Sequence, residues 1–139
     1  MFESEYTKSQ PSQSPSLKNA TLIYNPIAGR HPGRREREIR RVADVLQNAG
    51  VALKLAPTSA PGTARDLAQT AANQGDDLLL VCGGDGTINE VINGMTPGNI
   101  TLGILPGGTA NMIAKELGLP HDPVRAAQVH QRPAYRFLK

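Results

Sequence analysis

The feature that most constrains the fold is a short apolar run that ends at a glycine-rich turn. Residues 78–81 read Leu-Leu-Leu-Val, and residues 83–87 read Gly-Gly-Asp-Gly-Thr. An apolar run of this length, bounded by glycines, predicts a strand that is buried on both faces of a parallel sheet. The turn after such a strand lies at the sheet edge where α/β proteins bind their ligands. The turn at 83–87 is therefore a candidate functional site.

The rest of the chain alternates between strand and helix patterns. Three further β-prone runs predict strands, at residues 20–24, 51–55 and 100–105. Apolar residues at helical spacing predict five helices, over residues 33–48, 63–72, 88–93, 111–117 and 121–129. We expect Thr63 to cap the second helix. This alternation predicts an α/β fold, a Rossmann-like parallel sheet with helices on both faces and right-handed crossovers.

The length of 139 residues suits one domain with its own core. Residues 1–18, rich in Ser, Gln, Pro and Lys, are predicted to be a disordered tail, and residues 19–139 to be the domain. No apolar stretch approaches the roughly 20 residues of a membrane span, and the polar N-terminus lacks a signal-peptide core. We therefore expect a cytoplasmic protein. The single cysteine, Cys82, fits a reducing compartment and is interpreted as a small apolar side chain.

The formal net charge is +3, and much of the positive excess lies in the run 30–41. The interpretation that we favour is a solvated helix face; contact with anionic lipid or phosphate is the alternative. Nucleic acid is not expected as a partner, because no aromatic residues are interleaved with these charges.

Three loops are predicted at the same carboxyl edge of the sheet, namely 25–29, 83–87 and 106–111. Each contains glycine and a small polar residue, so together they outline a cleft for a polyphosphate. The P-loop pattern is absent, and Asn89 stands where a dinucleotide motif would have its last glycine. Asp85 would repel a bare phosphate, which favours a magnesium ion between them. The alternative is that Asp85 caps the following helix.

These loops carry a resemblance to a known family. Asn25-Pro26-x-x-Gly29, the segment 83–91 and the segment 106–111 resemble the diacylglycerol kinase catalytic domain, which includes bacterial lipid kinases and sphingosine kinases. The Gly-Gly-Asp-Gly-Thr element is shared with NAD kinases, but the first and third motifs favour the lipid-kinase branch. The resemblance implies an NAD kinase/diacylglycerol kinase-like N-terminal domain, ATP and Mg²⁺ as cofactors, and phosphorylation of a lipid hydroxyl.

The resemblance also implies roles for individual residues. Asp85 would be catalytic and would bind the metal directly or through water. Contacts with the nucleotide are implied for Asn25, Pro26, Gly29, Thr58, Gly83, Gly84, Asp85, Gly86, Thr87, Asn89, Glu90, Gly108, Thr109 and Asn111. For some of these an ordinary structural role stays open. Thr58 fits a plain loop threonine, Glu90 a first-turn carboxylate, and Asn89 and Asn111 loop or cap positions.

The expected activity is transfer of the γ-phosphoryl group of Mg-ATP to a lipid alcohol at the membrane surface, with peripheral attachment to the inner face left open. Family members carry a second, β-rich domain, which we expect to be absent after residue 139. Whether the chain acts alone is therefore open, and we expect it to associate with itself or with a separate β-rich domain. The alternatives are a non-catalytic, truncated nucleotide-binding module and an NAD kinase-like enzyme.

Overall fold

The computed structural model describes residues 6–8, 18–27, 33–95, 100–106, 123–125 and 135–138. Its elements are β1 (Tyr6–Lys8), β2 (Asn19–Tyr24), α1 (Arg34–Asn48), β3 (Ala52–Pro57), α2 (Thr63–Asn73), β4 (Leu78–Gly83), α3 (Asp85–Gly94), β5 (Thr101–Pro106) and β6 (Tyr135–Leu138). Residues 123–125 are also helical. The predicted helix at 111–117, and the predicted helix at 121–129 except for 123–125, lie outside the described residues.

The strands form one sheet in the order β1-β6-β5-β4-β2-β3. The four strands β5, β4, β2 and β3 are parallel, whereas β6 pairs antiparallel with β5 and β1 pairs antiparallel with β6. The chain runs from β2 outwards to β3 and then returns to the other side of β2. The strand order therefore reverses between β2 and β4, which is the topological switch point of the sheet.

Both faces of the sheet are covered by helices. Every residue of β4 is buried, and successive side chains point to opposite faces. Leu78, Leu80 and Cys82 join the cluster beneath α1, to which Val124 also belongs. Leu79 and Val81 join the cluster beneath α2 and α3. The prediction of a parallel α/β sheet with helices on both faces is confirmed.

Two aspartates fasten the amino edge of the sheet, opposite the glycine-rich turn. Asp77 Oδ2 accepts hydrogen bonds from the backbone N–H groups of Lys18 and Asn19, each at 3.1 Å. The neighbouring Asp76 accepts a hydrogen bond from the Thr21 hydroxyl and pairs with Lys54 Nζ at 2.9 Å. These contacts hold the starts of β2 and β4 together at the edge opposite the glycine-rich turn.

Two local predictions need correction. Helix α3 begins at Asp85 rather than at residue 88, so the glycine-rich turn is shorter than predicted. Thr63 does not cap α2, because its hydroxyl donates back to Ala60 O at 2.7 Å and Gly62 is the N-cap. Strand β1, within the segment 1–18, pairs antiparallel with β6, and the disordered tail predicted for this segment stays a prediction. The domain boundary itself stays a prediction.

Candidate functional site

The four parallel strands end in one row, which brings the predicted motifs to the same height. The residues paired in register along this row are Pro57, Tyr24, Cys82 and Leu105. The residues that follow them are Thr58, Asn25, Gly83 and Pro106. Asn25, Gly83 and Pro106 begin the three loops predicted to form the site, and Thr58 is a further predicted site residue. The switch point lies in the middle of the row, between β2 and β4. The structure therefore brings the start of every predicted loop to one edge.

Two glycines of the turn, Gly83 and Gly86, differ in whether the surrounding structure requires glycine. A Cβ atom on Gly83 would lie 2.9 Å from Thr87 Cβ, so the half-buried Thr87 requires a glycine there. A Cβ atom on Gly86 would meet nothing within 4 Å. Gly86 is exposed, and its φ is not in the left-handed region, so neither packing nor backbone geometry requires glycine. Gly86 therefore leaves the backbone in the first turn of α3 uncovered.

All three helices α1, α2 and α3 begin at this edge, and each has a glycine as its N-cap. None of these N-caps, Gly33, Gly62 and Gly84, makes a side-chain cap hydrogen bond. First-turn N–H groups and the helix dipole attract anions, and phosphates bind well at such ends. Asp85 is the half-buried first residue of α3, and Gly84 before it is the N-cap.

Asn25 and Thr58 hold the two loops beside the turn. The Asn25 side-chain oxygen accepts a hydrogen bond from the Ile27 N–H at 3.1 Å, which closes a tight turn after β2. The Thr58 N–H donates to Tyr24 O at 2.8 Å and extends the pairing of β3 with β2. Because the Asn25 oxygen is engaged in the turn, its amide nitrogen is the atom suited to donate to a ligand.

Glu90 connects helix α3 to the start of α2. Its Oε1 accepts a hydrogen bond from the Gly62 N–H at 3.1 Å. Glu90 is the sixth residue of α3, so it is not a first-turn carboxylate, and its carboxylate acts instead on the N-cap of the neighbouring helix. The loop that starts at Thr58 is thereby fixed relative to the glycine-rich turn. The sequence motif predicted that Glu90 belongs to the site. Only its hydrogen bond with the Gly62 N–H shows that it positions the neighbouring loop.

Arg35 departs from the solvated helix face predicted for the run 30–41. Arg34, Arg37, Arg40 and Arg41 are exposed, whereas Arg35 is only 5% exposed. Its Nη1 donates to Cys82 Sγ and to Glu38 Oε1, both at 3.3 Å. Desolvation by burial raises the pKa of Cys82 to about 11, outweighing the opposing effect of Arg35. Cys82 is therefore a neutral thiol at pH 7, as the sequence predicted for a small apolar side chain.

The raised pKa of Cys82 predicts a loss of stability in alkaline solution. The unfolded chain releases the thiol proton near the ordinary pKa of 9.0, but the folded chain retains it up to about 11. Stability is therefore complete below pH 9 and falls by about 1.4 kcal/mol between pH 7 and pH 10. Urea denaturation at both pH values measures this change. Cys82→Ala removes the thiol, so an equal alkaline loss in that variant would contradict the assignment.

The remaining predicted residues are placed as follows. Pro26 is half-buried in the turn after Asn25, and Asn89 is exposed on α3. Gly29, Gly108, Thr109 and Asn111 lie outside the described residues. Within the described ranges no group of three or more His, Cys, Asp or Glu side chains is placed to hold a metal ion. No helix in the described part of the chain is long and apolar enough to cross a bilayer.

The described chain is a parallel α/β sheet with a glycine-rich turn and helix N-termini at its switch-point edge, the edge where proteins of this class bind their ligands. The sequence profile of the diacylglycerol kinase catalytic domain matches residues 19–136. The chain belongs to this family of lipid kinases. Its solved neighbours are diacylglycerol kinases of the NAD kinase-like fold.

Individual relatives agree with this assignment. Diacylglycerol kinase of Bacillus subtilis is 38% identical over 113 residues, covering 80% of this chain and 37% of the relative. Diacylglycerol kinase of Staphylococcus saprophyticus is 39% identical over 114 residues, covering 81% and 37%. The crystal structure of a diacylglycerol kinase from Bacillus anthracis superposes with a TM-score of 0.74 at 33% identity, covering 82% and 42%. The chain thus spans less than half the length of these relatives.

Proposed function

We propose that this chain is the nucleotide-binding half of an ATP-dependent lipid kinase acting at the inner face of the cytoplasmic membrane. The observation that carries the proposal is the open space at Gly86, in the first turn of α3 and next to Asp85. A backbone without a side chain, at a helix N-terminus and beside a strand end, suits the close approach of phosphate oxygens.

The described residues divide the binding task among them. The backbone N–H groups of Gly84, Gly86 and Thr87 are proposed to donate to phosphate oxygens, as the first turn of α3 points them to the edge. Asn25 and Thr58 line the same row from the two neighbouring strands. Glu90 keeps the Thr58 loop in position through the Gly62 N–H.

Asp85 is the proposed residue for the metal and for the reacting hydroxyl. Mg²⁺ in phosphoryl-transfer sites is commonly held by one or two carboxylates together with substrate phosphates, so a single half-buried aspartate fits its requirements. When bound, Mg²⁺ would neutralise charge on the phosphates. In the transfer, the lipid oxygen forms a bond to the γ-phosphorus while the bond between the γ-phosphorus and the leaving ADP oxygen breaks. Asp85 would bind the metal or accept the hydroxyl proton.

The second candidate is a nucleotide-binding module without catalysis of its own. The match covers 37% of the length of the curated relatives, so it includes the nucleotide motifs and leaves transfer as a proposal. Under this candidate the chain binds ATP but transfers nothing to diacylglycerol. Adding a β-rich partner domain, or a second copy of the chain, separates the two candidates. Under the kinase proposal the addition completes the cleft and transfer to diacylglycerol appears. Under the second candidate no transfer appears.

Gly86→Ala tests the nucleotide site. Alanine is a better helix former than glycine and meets no atom here, so we expect stability to be unchanged or to rise by about 0.5–1 kcal/mol. The new methyl group occupies the proposed approach of the phosphates, so affinity for Mg-ATP should fall roughly tenfold or more. Calorimetric titration measures affinity, and thermal unfolding measures stability.

The matched control for this experiment is Gly75→Ala. Gly75 follows α2 with a φ of +81°, so alanine there strains the backbone but lies away from the proposed site. We expect it to lower stability and to leave ATP affinity unchanged. An ATP affinity of Gly86→Ala equal to that of the wild-type chain would count against the proposed site.

A further inference from the structure

Strand β3 forms one edge of the described sheet. It is the last strand in the order β1-β6-β5-β4-β2-β3, and β2 is its one neighbour among the described strands. Its residues are exposed or half-buried along the whole strand, whereas every residue of the central β4 is buried. An edge strand carries backbone N–H and C=O groups that can pair with another strand. The β3 edge is therefore a candidate interaction surface.

The hydrogen bonds of β3 show which of its backbone groups face outwards. Ala52 N–H donates to Lys18 O at 2.7 Å, and Thr58 N–H, just past the strand, donates to β2 at 2.8 Å. Successive residues of a strand turn their backbone groups to opposite sides, so the even-numbered residues of β3 bond to β2. The N–H and C=O groups of Leu53 and Leu55 consequently point away from the sheet.

Leu55 makes this edge apolar as well as open. The described chain has two exposed large apolar side chains, and Leu55, which is 46% exposed in the middle of β3, is one of them. The half-buried Leu53 lies on the same face of the sheet and packs against the cluster beneath α1. A strand added beside β3 would cover Leu55 and would also pair the outward backbone groups of both leucines.

The charge on β3 does not guard the edge. A lysine on an edge strand commonly blocks pairing with other strands, and Lys54 is the charged residue of β3. Its Nζ lies 2.9 Å from Asp76 Oδ1 and 2.9 Å from Gln74 Oε1. The ion pair with the buried Asp76 compensates the charge that would otherwise repel a second strand carrying the same lysine.

We propose that β3 is a dimerisation edge, at which two copies of this chain pair their β3 strands antiparallel about a twofold axis at Leu55. A twofold contact uses the same surface on both copies, so each outward N–H and C=O of Leu55 meets its complement on Leu55 of the second copy. This register also places the two exposed leucine side chains next to each other. A register centred on Lys54 would instead bring two lysines directly opposite, which is destabilising.

Proline sets the length and the strength of this pairing. Leu53 N–H would donate to the carbonyl of Pro57 of the second copy, and Pro57 has no N–H to return a bond. Pairing of two six-residue strands is a small contact beside the roughly 1,200–2,000 Å² of standard interfaces. We therefore expect a reversible dimer with a Kd on the order of 10–100 μM.

Sedimentation of the full chain from low micromolar to millimolar concentration tests the proposal. Leu55→Lys alone and Leu55→Glu alone should each associate at least about tenfold more weakly than the wild-type chain, because like charges then face each other across the axis. An equimolar mixture of the two variants should associate several-fold more strongly than either alone. Ile27→Lys changes the other exposed large apolar side chain, away from β3, and should dimerise like the wild-type chain.

Amide hydrogen exchange of the unmodified chain gives a second measurement that needs no substitution. The N–H groups of Leu53 and Leu55 should become protected as the chain concentration rises. The N–H groups of Lys54 and Ala56 bond to β2 and should be protected at every concentration. This measurement decides the matter if the charged variants do not fold.

Three results would overturn the proposal. The first is a chain that stays monomeric at millimolar concentration. The second is dimerisation of Leu55→Lys at wild-type strength, or a mixture of the charged variants that associates no better than each alone. The third is protection of Leu53 and Leu55 only when a β-rich second domain is added, which would assign the edge to that domain. None of these results bears on nucleotide binding, so this inference stands or falls separately from the proposed function.

Discussion

Replacing Asp85 by asparagine is expected to lower phosphoryl transfer to diacylglycerol by a factor on the order of 10² to 10³. Asparagine keeps the shape of the side chain at the first position of α3, so the fold should be retained. What is lost is the negative charge that we propose binds the metal or accepts the hydroxyl proton. Transfer of radiolabelled phosphate should be measured in an enzyme that joins this domain to a β-rich second domain, because the chain alone spans only part of its relatives.

The chain offers a matched control for this substitution. Asp66 is also a first-turn aspartate of a helix that begins at the same sheet edge, but it is exposed on α2. Asp66→Asn therefore loses the same favourable interaction with a helix dipole, worth about 0.3–1 kcal/mol, without touching the proposed site. We expect wild-type transfer in Asp66→Asn. Wild-type transfer in Asp85→Asn as well would remove Asp85 from the mechanism.

The largest effect on stability is expected for Gly94→Ala. A Cβ atom on Gly94 would lie 2.2 Å from Arg65 O, 2.9 Å from Arg65 C and 3.0 Å from its Cα. All three atoms belong to the backbone of α2, so no side chain can move aside and the two helices must separate. We expect a loss of about 3 kcal/mol in the free energy of unfolding. The midpoint of urea denaturation measures the loss.

The same experiment has an internal comparison within α3. Gly86→Ala places a methyl group on the same helix in open space, so it should show no such loss. Separation of α2 from α3 would also draw the Gly62 N–H away from Glu90, so nucleotide affinity in Gly94→Ala should fall together with stability. Equal unfolding midpoints for the two variants would show that the close approach of α3 to α2 is not rigid.

The sheet was predictable because its signals are local. The buried run at 78–81, the β-prone runs and the glycines that bound them each lie within a few residues, and short connections between parallel strands leave few topologies. The carboxyl-edge position of Asn25, Gly83 and Pro106 followed from that topology alone. The family motifs coincide with the strand ends because the topology of a parallel sheet brings the loops after its strands to one edge.

The features that sequence reasoning missed all depend on contacts between distant residues. The burial of Arg35 is set by Cys82, 47 positions away, although local charge patterning marks Arg35 as exposed. The bond from Gly62 to Glu90 spans 28 positions. The start of α3 at Asp85 was misjudged because two glycines favour a turn locally, whereas burial of Ile88 and Val91 extends the helix to the strand end.

The single row of strand ends has a consequence for how this domain tolerates change in length. A residue rises about 3.3 Å along a strand, and each side chain alternates its face, so one residue inserted within β2 or β4 would displace its loop from the row and turn its side chains to the wrong side. An insertion between α1 and β3, at exposed Ala49 or Gly50, would leave the row untouched. The fold therefore constrains the distance from each strand to its own motif more tightly than the number of residues between motifs.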